Sequence, residues 1–229
     1  RAPYRHCARP GGSPATSPPA LAVPAAQRSM CLGHRLAPAG PAYNVGEYTE
    51  IHGPVDPDRF RTAIQQVVAA TETLRVRFTA EGDTVRGLVD PDPAWDLPVI
   101  DLTGEGDPRS AAEAWMAADF ATPFDLDRSP LFRYALLHLT ATHWIWYQRY
   151  HHIAVDGYSC SLLARRVADA YSALVAGTPH TPPPAPLAPL VAADEAYRTG
   201  QRHASDREFW TSALFGHPDA VSLSARPPQ

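Results

Sequence analysis

Apolar positions along the chain follow two different periods, and the changes of period divide it into strands and helices. Alternation with a period of two predicts strands at 43–52, 74–78, 84–89, 131–139 and 143–152. A helical period predicts helices that start at Asp56-Pro57 and at Asp107-Pro108, and others over 158–176, 190–199 and 205–214. Gly177 marks the end of the helix over 158–176. The mixture of strands and helices favours an α/β layered sandwich.

Two proline-rich segments interrupt these elements. Residues 1–22 are rich in Pro, Gly and Ser and lack periodicity, which predicts a linker or disordered lead-in. Residues 180–189 (HTPPPAPLAP) predict a stiff, extended connector. We therefore expect a folded body over 23–178, followed over 179–229 by the connector and the start of a further part of the fold. Because the first residue is Arg1 rather than Met, we also expect the chain to be a piece of a longer protein.

Composition narrows the functional classes. Apolar residues make up 45% of the chain and its formal charge is −4, so the sequence predicts a soluble protein without the basic field that nucleic acid or a membrane surface attracts. No apolar run approaches the roughly 18 residues that a membrane span requires. Three scattered cysteines, Cys7, Cys31 and Cys160, predict neither a disulfide framework nor a metal site, and they fit the reducing cytoplasm.

The candidate chemistry lies in the segment HHIAVDG over 151–157, where a strand gives way to a helix. Neighbouring side chains of a strand point to opposite faces. His151 and His152 therefore cannot chelate one metal together, and only one of them can face a substrate. A neutral imidazole can accept the proton that an α-amine, with a pKa of roughly 7.7–8.0, loses before it attacks as a nucleophile. We expect Asp156 to be an orienting charge paired with an arginine, and Gly157 to permit a sharp turn or a close backbone approach.

Less specific interpretations of this motif stay open at this stage. Adjacent histidines are more often structural than catalytic, and an Asp-Gly dipeptide is usually a turn. No third ligand lies at a spacing that suits a metal, so we expect no metal and no directly bound cofactor.

Four segments, in the right order, resemble the condensation domains of nonribosomal peptide synthetases. The segment HHIAVDG stands between the strand WIWYQRY and a helix. Residues 25–28 (AAQR) are similar to the opening helix motif of that family, and 72–78 (ETLRVRF) to its ExLRxxF motif. Residues 206–210, which end in Phe209-Trp210, resemble its aromatic-bearing helix. The resemblance spans about residues 20–229, and the wording AYNVGEY and WYQRYHH is similar to condensation domains that open synthetase modules of the siderophore type.

The resemblance implies a V-shaped, two-lobed fold of the chloramphenicol acetyltransferase type, in which 23–178 is the N-terminal lobe and 179–229 begins the second. It implies amide formation between a donor acyl or peptidyl thioester and an acceptor aminoacyl thioester, both carried on phosphopantetheine arms. The implied partners are the donor and acceptor carrier domains, an adjacent adenylation domain and a C-terminal lobe. The later motifs of the family, which belong to that lobe, have no counterpart in this sequence.

By the same resemblance His152 is the active-site histidine, and His151, Asp156 and Gly157 complete the catalytic motif. We expect His152 to face a solvent-reachable cleft and His151 to be buried and hydrogen-bonded, because strand alternation separates them. In many family members an arginine pairs with the aspartate of the motif, but alanine stands at that position here. Arg75 is then the leading candidate for the partner of Asp156.

Trp210, in the segment that resembles the aromatic-bearing helix, is expected to give structural support. Two other functions stay open: a free-standing acyltransferase of the same superfamily that uses acyl-CoA, and a lobe that folds and docks without catalysis. An epimerisation domain shares the two histidines but usually differs after the aspartate. The resemblance also implies that the two substrates meet in a tunnel between the lobes. Because one lobe forms only one wall of that tunnel, it neither aligns the substrates nor excludes water, and we expect the chain alone to lack condensation activity.

Overall fold

The computed structural model describes residues 20–82 and 84–216. Its strands are β1 (Leu21–Ala22), β2 (Asn44–His52), β3 (Val76–Glu81), β4 (Thr84–Val89), β5 (Val99–Asp101), β6 (Phe132–Thr140) and β7 (His143–His151). Its α-helices are α1 (Ala25–Leu36), α2 (Pro57–Ala70), α3 (Pro108–Phe120), α4 (Gly157–Ala176), α5 (Ala188–Thr199) and α6 (Gln201–Ala213), and a 3₁₀ turn covers Glu72–Arg75. The chain divides into two compact units, Arg1–Leu187 and Ala188–Gln229.

A four-stranded sheet in the first unit carries the segment with the histidine pair. Its order is β2-β7-β6-β5, with β2, β7 and β6 antiparallel and β5 parallel to β6. Helices α2 and α4 contribute to the hydrophobic core on one face of this sheet, and α3 contributes to the core on the other face. A smaller sheet, β1-β4-β3, joins the first of these cores. The described part of this unit is therefore the α/β layered sandwich that the sequence predicts.

Local rules explain where the helices of the first unit begin and end. Asp56 accepts hydrogen bonds from two backbone N–H groups at the start of α2, and Asp107 accepts one at the start of α3. Each such cap contributes about 1 kcal/mol to stability. Gly177 ends α4 in the left-handed region at φ 66°, where a residue with a Cβ atom would be strained. The starts predicted at 56–57 and 107–108 and the end predicted at Gly177 are confirmed.

Three predicted boundaries are corrected by the structure. Leu74, expected in a strand, lies in the 3₁₀ turn because its N–H bonds to the carbonyl of Thr71, and β3 begins only at Val76. Strand β7 ends at His151, one residue earlier than expected. Leu21–Ala22, expected in the lead-in, pair with β4, while residues 1–19 lie outside the described residues.

The second half of the proline-rich connector is attached to the first unit. Ala185 forms an isolated parallel bridge with Thr71, and the N–H of Leu187 donates to the carboxylate of Glu72 at 2.7 Å. The two helices after it begin at Ala188 and Gln201, slightly earlier than predicted. Across the described ranges, every helix is too short or too polar to cross a membrane.

Candidate active site

The loop between β7 and α4, residues 152–156, positions the candidate catalytic groups. Its middle is anchored in the hydrophobic core, because Ile153 and Val155 are buried. Its first residue is held by the backbone, since the N–H of His152 donates to the carbonyl of Tyr43 at 2.8 Å. The loop is thus tied to the segment before β2 as well as to the core beneath it.

His151 is a buried, fully bonded side chain. Only 1% of its surface is exposed. Nδ1 accepts the N–H of Ile153 at 3.0 Å and therefore carries no proton, while Nε2 donates to Nδ1 of His34 at 3.2 Å. Burial, and then the proximity of His34 and His152, lowers the pKa of His151 to about 4. The ring is neutral at pH 7 and serves to hold the loop rather than to exchange protons.

His152 lies just beyond β7, and its side chain is exposed. Its Nδ1 lies 2.9 Å from the carbonyl oxygen of Val155. Because a carbonyl oxygen can only accept a hydrogen bond, Nδ1 carries the proton of the neutral ring and Nε2 keeps its lone pair. Nε2, on the side of the ring away from the loop carbonyl, is the atom that can accept a proton from a substrate amine or align it.

The predicted orientation of the two histidines is confirmed, since His151 is buried and hydrogen-bonded while His152 is exposed. The physical reason differs from strand alternation. Strand β7 ends at His151, and the turn that follows, with its bond to Val155, directs His152 outward. The cleft that His152 should face stays a prediction.

The predicted ion pair between Asp156 and Arg75 is wrong. Asp156 is exposed and caps α4, because its Oδ1 accepts the N–H and the hydroxyl of Ser159 at 2.8 and 2.7 Å. These bonds from Ser159 lower the pKa of Asp156. Arg75 donates instead to the carbonyl oxygen of Asp90, just after β4, at 3.1 Å. A capping carboxylate needs no arginine, because the helix N-terminus already offers N–H donors and a favourable dipole.

A buried ion pair close to the histidines joins Arg149 to Asp119. Arg149 is 4% exposed and, two residues before His151, points to the same face of β7. Its Nε lies 3.1 Å from Oδ2 of Asp119, and its guanidinium lies 4.5 Å from the ring centre of Phe124. Sequence reasoning missed this pair. An arginine in a strand rich in aromatic residues was the available signal, because a buried charge requires a partner.

Two further predicted site residues have different surroundings from those expected. Gly157 is the first residue of α4, its φ is not positive, and a Cβ atom there would meet nothing within 4 Å. Neither a sharp turn nor the protein's own packing therefore explains glycine at this position. Trp210 lies on α6 in the second unit, where it is 59% exposed and 5.3 Å from the ring of Phe209. Its supporting role stays a prediction.

Two polar side chains within the recognised motifs contact the loop, although sequence reasoning gave them no role. Nε2 of Gln27, on α1, donates to the carbonyl oxygen of Ile153 at 2.8 Å. The hydroxyl of Thr73, in the 3₁₀ turn, donates to the carbonyl oxygen of Ala154 at 2.5 Å. Their positions within the AAQR and ETLRVRF segments were the only signal available.

Metal-ligating atoms come together elsewhere, at the far end of the β2–β7 pair. Atoms of Glu50, His52 and His143 lie within 4.8 Å of one another. The two rings stack with centres 4.7 Å apart, and Nε2 of His143 and Nε2 of His52 lie 3.2 and 3.8 Å from the same carboxylate oxygen of Glu50. Glu50 is also ion-paired with Arg109. The three residues therefore form a polar cluster on the surface around Glu50.

Comparison with known proteins relates nearly the whole chain to one family. The family model of the Condensation domain matches residues 20–229. An isonitrile lipopeptide synthase from Streptomyces coeruleorubidus is 42% identical over 204 residues, which cover 88% of this chain and 14% of that protein. A dimodular nonribosomal peptide synthase from Bacillus subtilis (strain 168) is 40% identical over 205 residues, which cover 89% of this chain and 9% of that protein.

Solved structures share the fold. A variant of the starter condensation domain of rhizomide synthetase RzmA, in complex with C8-CoA, matches with a TM-score of 0.85 and 40% identity, over 90% of this chain and 48% of that chain. The first condensation domain of the calcium-dependent antibiotic synthetase matches with a TM-score of 0.82 and 35% identity, over 91% of this chain and 51% of that chain. The chain therefore has their chloramphenicol acetyltransferase-like α/β fold and spans about half of their length. It belongs to the condensation-domain family of nonribosomal peptide synthetases.

Proposed function

We propose that the chain supplies the histidine-bearing half of an amide-forming site. The donor is an acyl or peptidyl thioester and the acceptor an aminoacyl thioester, each held on the phosphopantetheine arm of a carrier domain. The observation that carries the proposal is the lone pair on Nε2 of His152, which the bond from Nδ1 to Val155 leaves available. Membership of the condensation-domain family supports it.

The chemistry follows from the two nitrogens of His152. An α-amine with a pKa of roughly 7.7–8.0 is mostly protonated at neutral pH and must lose a proton to attack. Nε2 of His152 accepts that proton, or aligns the neutral amine, while the amine nitrogen of the acceptor attacks the thioester carbonyl of the donor. The C–N bond forms, the C–S bond breaks, and the pantetheine thiol leaves with a proton. Alignment of two tethered substrates can itself supply about 7–11 kcal/mol of such a barrier, so the histidine acts together with substrate positioning.

The other residues of the motif have supporting roles in this proposal. His151 holds the loop through its bonds to His34 and to the backbone of Ile153. Asp156 fixes the start of α4 through Ser159. Gly157, with open space beside it, leaves room for a substrate to approach the loop.

The proposed partners are the donor and acceptor carrier domains, an adjacent adenylation domain and a C-terminal lobe. The chain spans 48% and 51% of the two condensation-domain structures described above, and a second lobe would provide the opposite wall of a substrate tunnel. In this proposal no cofactor binds to the chain directly. The free, buried thiols of Cys31 and Cys160 suit a reducing cytoplasm, which is the proposed location.

One observation also favours a second candidate, transfer from acyl-CoA. The starter condensation domain of rhizomide synthetase, 40% identical to this chain, was solved with C8-CoA. An acyltransferase of this kind would use the same Nε2 of His152 and take its donor from CoA instead of a carrier. A lobe that folds without catalysing any reaction is the third possibility.

Mass spectrometry of carrier-bound products distinguishes these functions. The chain, alone or joined to a complete second lobe, is mixed with an aminoacyl-loaded acceptor carrier and either an acyl-loaded donor carrier or octanoyl-CoA. We expect amide on the acceptor carrier only when the second lobe and the donor carrier are present. Amide formation by the chain alone, at the rate of the complete domain, would refute the half-site proposal. Product from octanoyl-CoA alone would identify the acyltransferase, and no product in any mixture would identify the non-catalytic lobe.

A further inference from the structure

Three consecutive carbonyl groups in the loop that carries His152 are bonded by three side chains from different parts of the chain. The carbonyl of Ile153 accepts from Nε2 of Gln27 at 2.8 Å, and that of Ala154 from the hydroxyl of Thr73 at 2.5 Å. The third, that of Val155, accepts from Nδ1 of His152 itself at 2.9 Å. The bond that sets the tautomer of His152 is therefore the last of a continuous series.

The first two bonds restrict the position of the third carbonyl. Each peptide unit is planar, so a hydrogen bond to its oxygen fixes the orientation of the whole unit. Gln27 and Thr73 in this way fix the two units that precede the carbonyl of Val155. The side chain of Val155 is 4% exposed, and its packing in the core restricts the backbone torsions on both sides of its Cα atom. Little freedom is left for the oxygen that accepts from Nδ1 of His152.

The two donors come from elements far away in sequence. Gln27 lies 126 residues before Ile153, on α1, and Thr73 lies 81 residues before Ala154, in the 3₁₀ turn after α2. Each is a polar residue that its element directs at the loop. Without these donors the loop would still be tethered by its apolar residues, but its carbonyls could rotate toward solvent.

We infer that Gln27 and Thr73 are positioning residues for His152, a role that rests on the proposed function. They hold the carbonyl of Val155 where it accepts the hydrogen bond from Nδ1–H, and so they keep the lone pair on Nε2 for the acceptor amine. If that carbonyl turned away, the neutral ring could place its proton on Nε2, and the atom facing the substrate would be a donor with no lone pair. The two residues do not touch the reacting atoms.

The test measures the tautomer directly in the 229-residue chain, with imidazole ¹⁵N chemical shifts from a histidine-labelled sample. The chain has 10 histidines, and the His152 signals are assigned by their loss in His152→Gln. Wild type should show Nδ1 protonated and Nε2 unprotonated. Thr73→Val, which removes the hydroxyl with almost no change of shape, and Gln27→Met should each show a second population with the proton on Nε2.

Two controls separate positioning from general destabilisation. Thr73→Ser keeps a hydroxyl and should restore the wild-type tautomer. Thr62→Val removes a hydroxyl that bonds the carbonyl of Asp58 at 2.8 Å within α2, and it should leave the His152 signals unchanged. An unchanged tautomer in both Thr73→Val and Gln27→Met would overturn the inference, as would an equal shift in Thr62→Val.

Amide formation by the complete domain provides a second readout. Displacement of a catalytic group by about 1 Å can cost 10²-fold in rate. Thr73→Val and Gln27→Met should therefore lower kcat by about ten- to a hundredfold with KM little changed, and Thr73→Ser should recover most of it. A shifted tautomer with unchanged kcat would overturn the positioning role. Absence of amide formation in wild type would refute the proposed function instead, because the tautomer measurement does not depend on turnover.

Discussion

Lowering the pH tests whether His151 is buried in the fold as a neutral, hydrogen-bonded ring. Nε2 of His151 donates to His34 and its Nδ1 accepts from Ile153, so the ring cannot take up a proton without losing a bond. Its pKa is lowered to about 4, against an ordinary value near 6.5. A group with a lower pKa in the folded state binds more protons when unfolded. Its contribution to stability is therefore complete above pH 6.5 and is lost as the pH falls toward 4.

The size of this loss follows from the two pKa values. Each unit of difference corresponds to about 1.4 kcal/mol, so His151 alone should cost about 2 kcal/mol of stability between pH 7 and pH 5, and about 3 kcal/mol by pH 4. Burial also lowers the pKa of His34, which adds to the loss in the same direction. Against a typical unfolding free energy of about 5–15 kcal/mol, the effect is large enough to measure.

Urea unfolding of the chain at pH 7 and pH 5, followed by the fluorescence of its five tryptophans, is the assay. His151→Gln removes the titrating group and should lose about 2 kcal/mol less than wild type over this interval. His52→Gln, at a histidine whose side chain is 72% exposed, is the matched control and should behave as wild type. Equal pH dependence in wild type and His151→Gln would refute the reasoning. If His151→Gln does not fold, a titration of His151 by NMR decides, and a pKa near 6.5 would contradict the buried arrangement.

Other consequences concern the ends of α4. Asp156→Ala should lower the unfolding free energy at pH 7 by about 1 kcal/mol, and Asp156→Asn should lower it by much less, because asparagine also caps a helix. Since folding lowers the pKa of Asp156, the difference in stability between wild type and Asp156→Ala should disappear as the pH falls below about 4. A double-mutant cycle on Arg75 and Asp156 should give a coupling energy below about 0.5 kcal/mol. A larger coupling energy would support the ion pair that the sequence predicted. Gly177→Ala should cost about 1 kcal/mol because of its left-handed backbone, whereas Gly104→Ala, with open space and no positive φ, should cost little in the same urea-unfolding experiment.

Helix boundaries that are signalled by residues adjacent in sequence could be predicted. The aspartate-proline starts at 56–57 and 107–108 and the glycine stop at 177 are local signals, and the structure has all three. The strand β5 and its parallel pairing with β6 could not be predicted, because three residues carry too weak a pattern and their partner lies 37 residues away. Residues 74–75 of the 3₁₀ turn were assigned to a strand because Leu74, Val76 and Phe78 alternate with polar residues, as they would in a strand.

The candidate site also contains features that the sequence predicted and features that it did not. The histidine motif and the burial of His151 followed from the sequence, but the role of Asp156 did not. The rule that identified the caps at Asp56 and Asp107 applies equally to Asp156, which precedes a predicted helix and has Ser159 three residues later. The family resemblance favoured an ion pair, and the local rule was the better guide. The contacts of Gln27 and Thr73 with the loop join residues 126 and 81 positions apart, and no local rule predicts them.

The central claim is that Nε2 of His152 acts on the acceptor amine. Single-turnover amide formation between two loaded carriers, measured with the complete domain, tests it most directly. His152→Ala should lower the rate by about 10²–10⁴-fold, as is typical for loss of a general base, while His52→Ala should leave it unchanged. A rate for His152→Ala equal to that of wild type would contradict the account, because the amide would then form without this histidine.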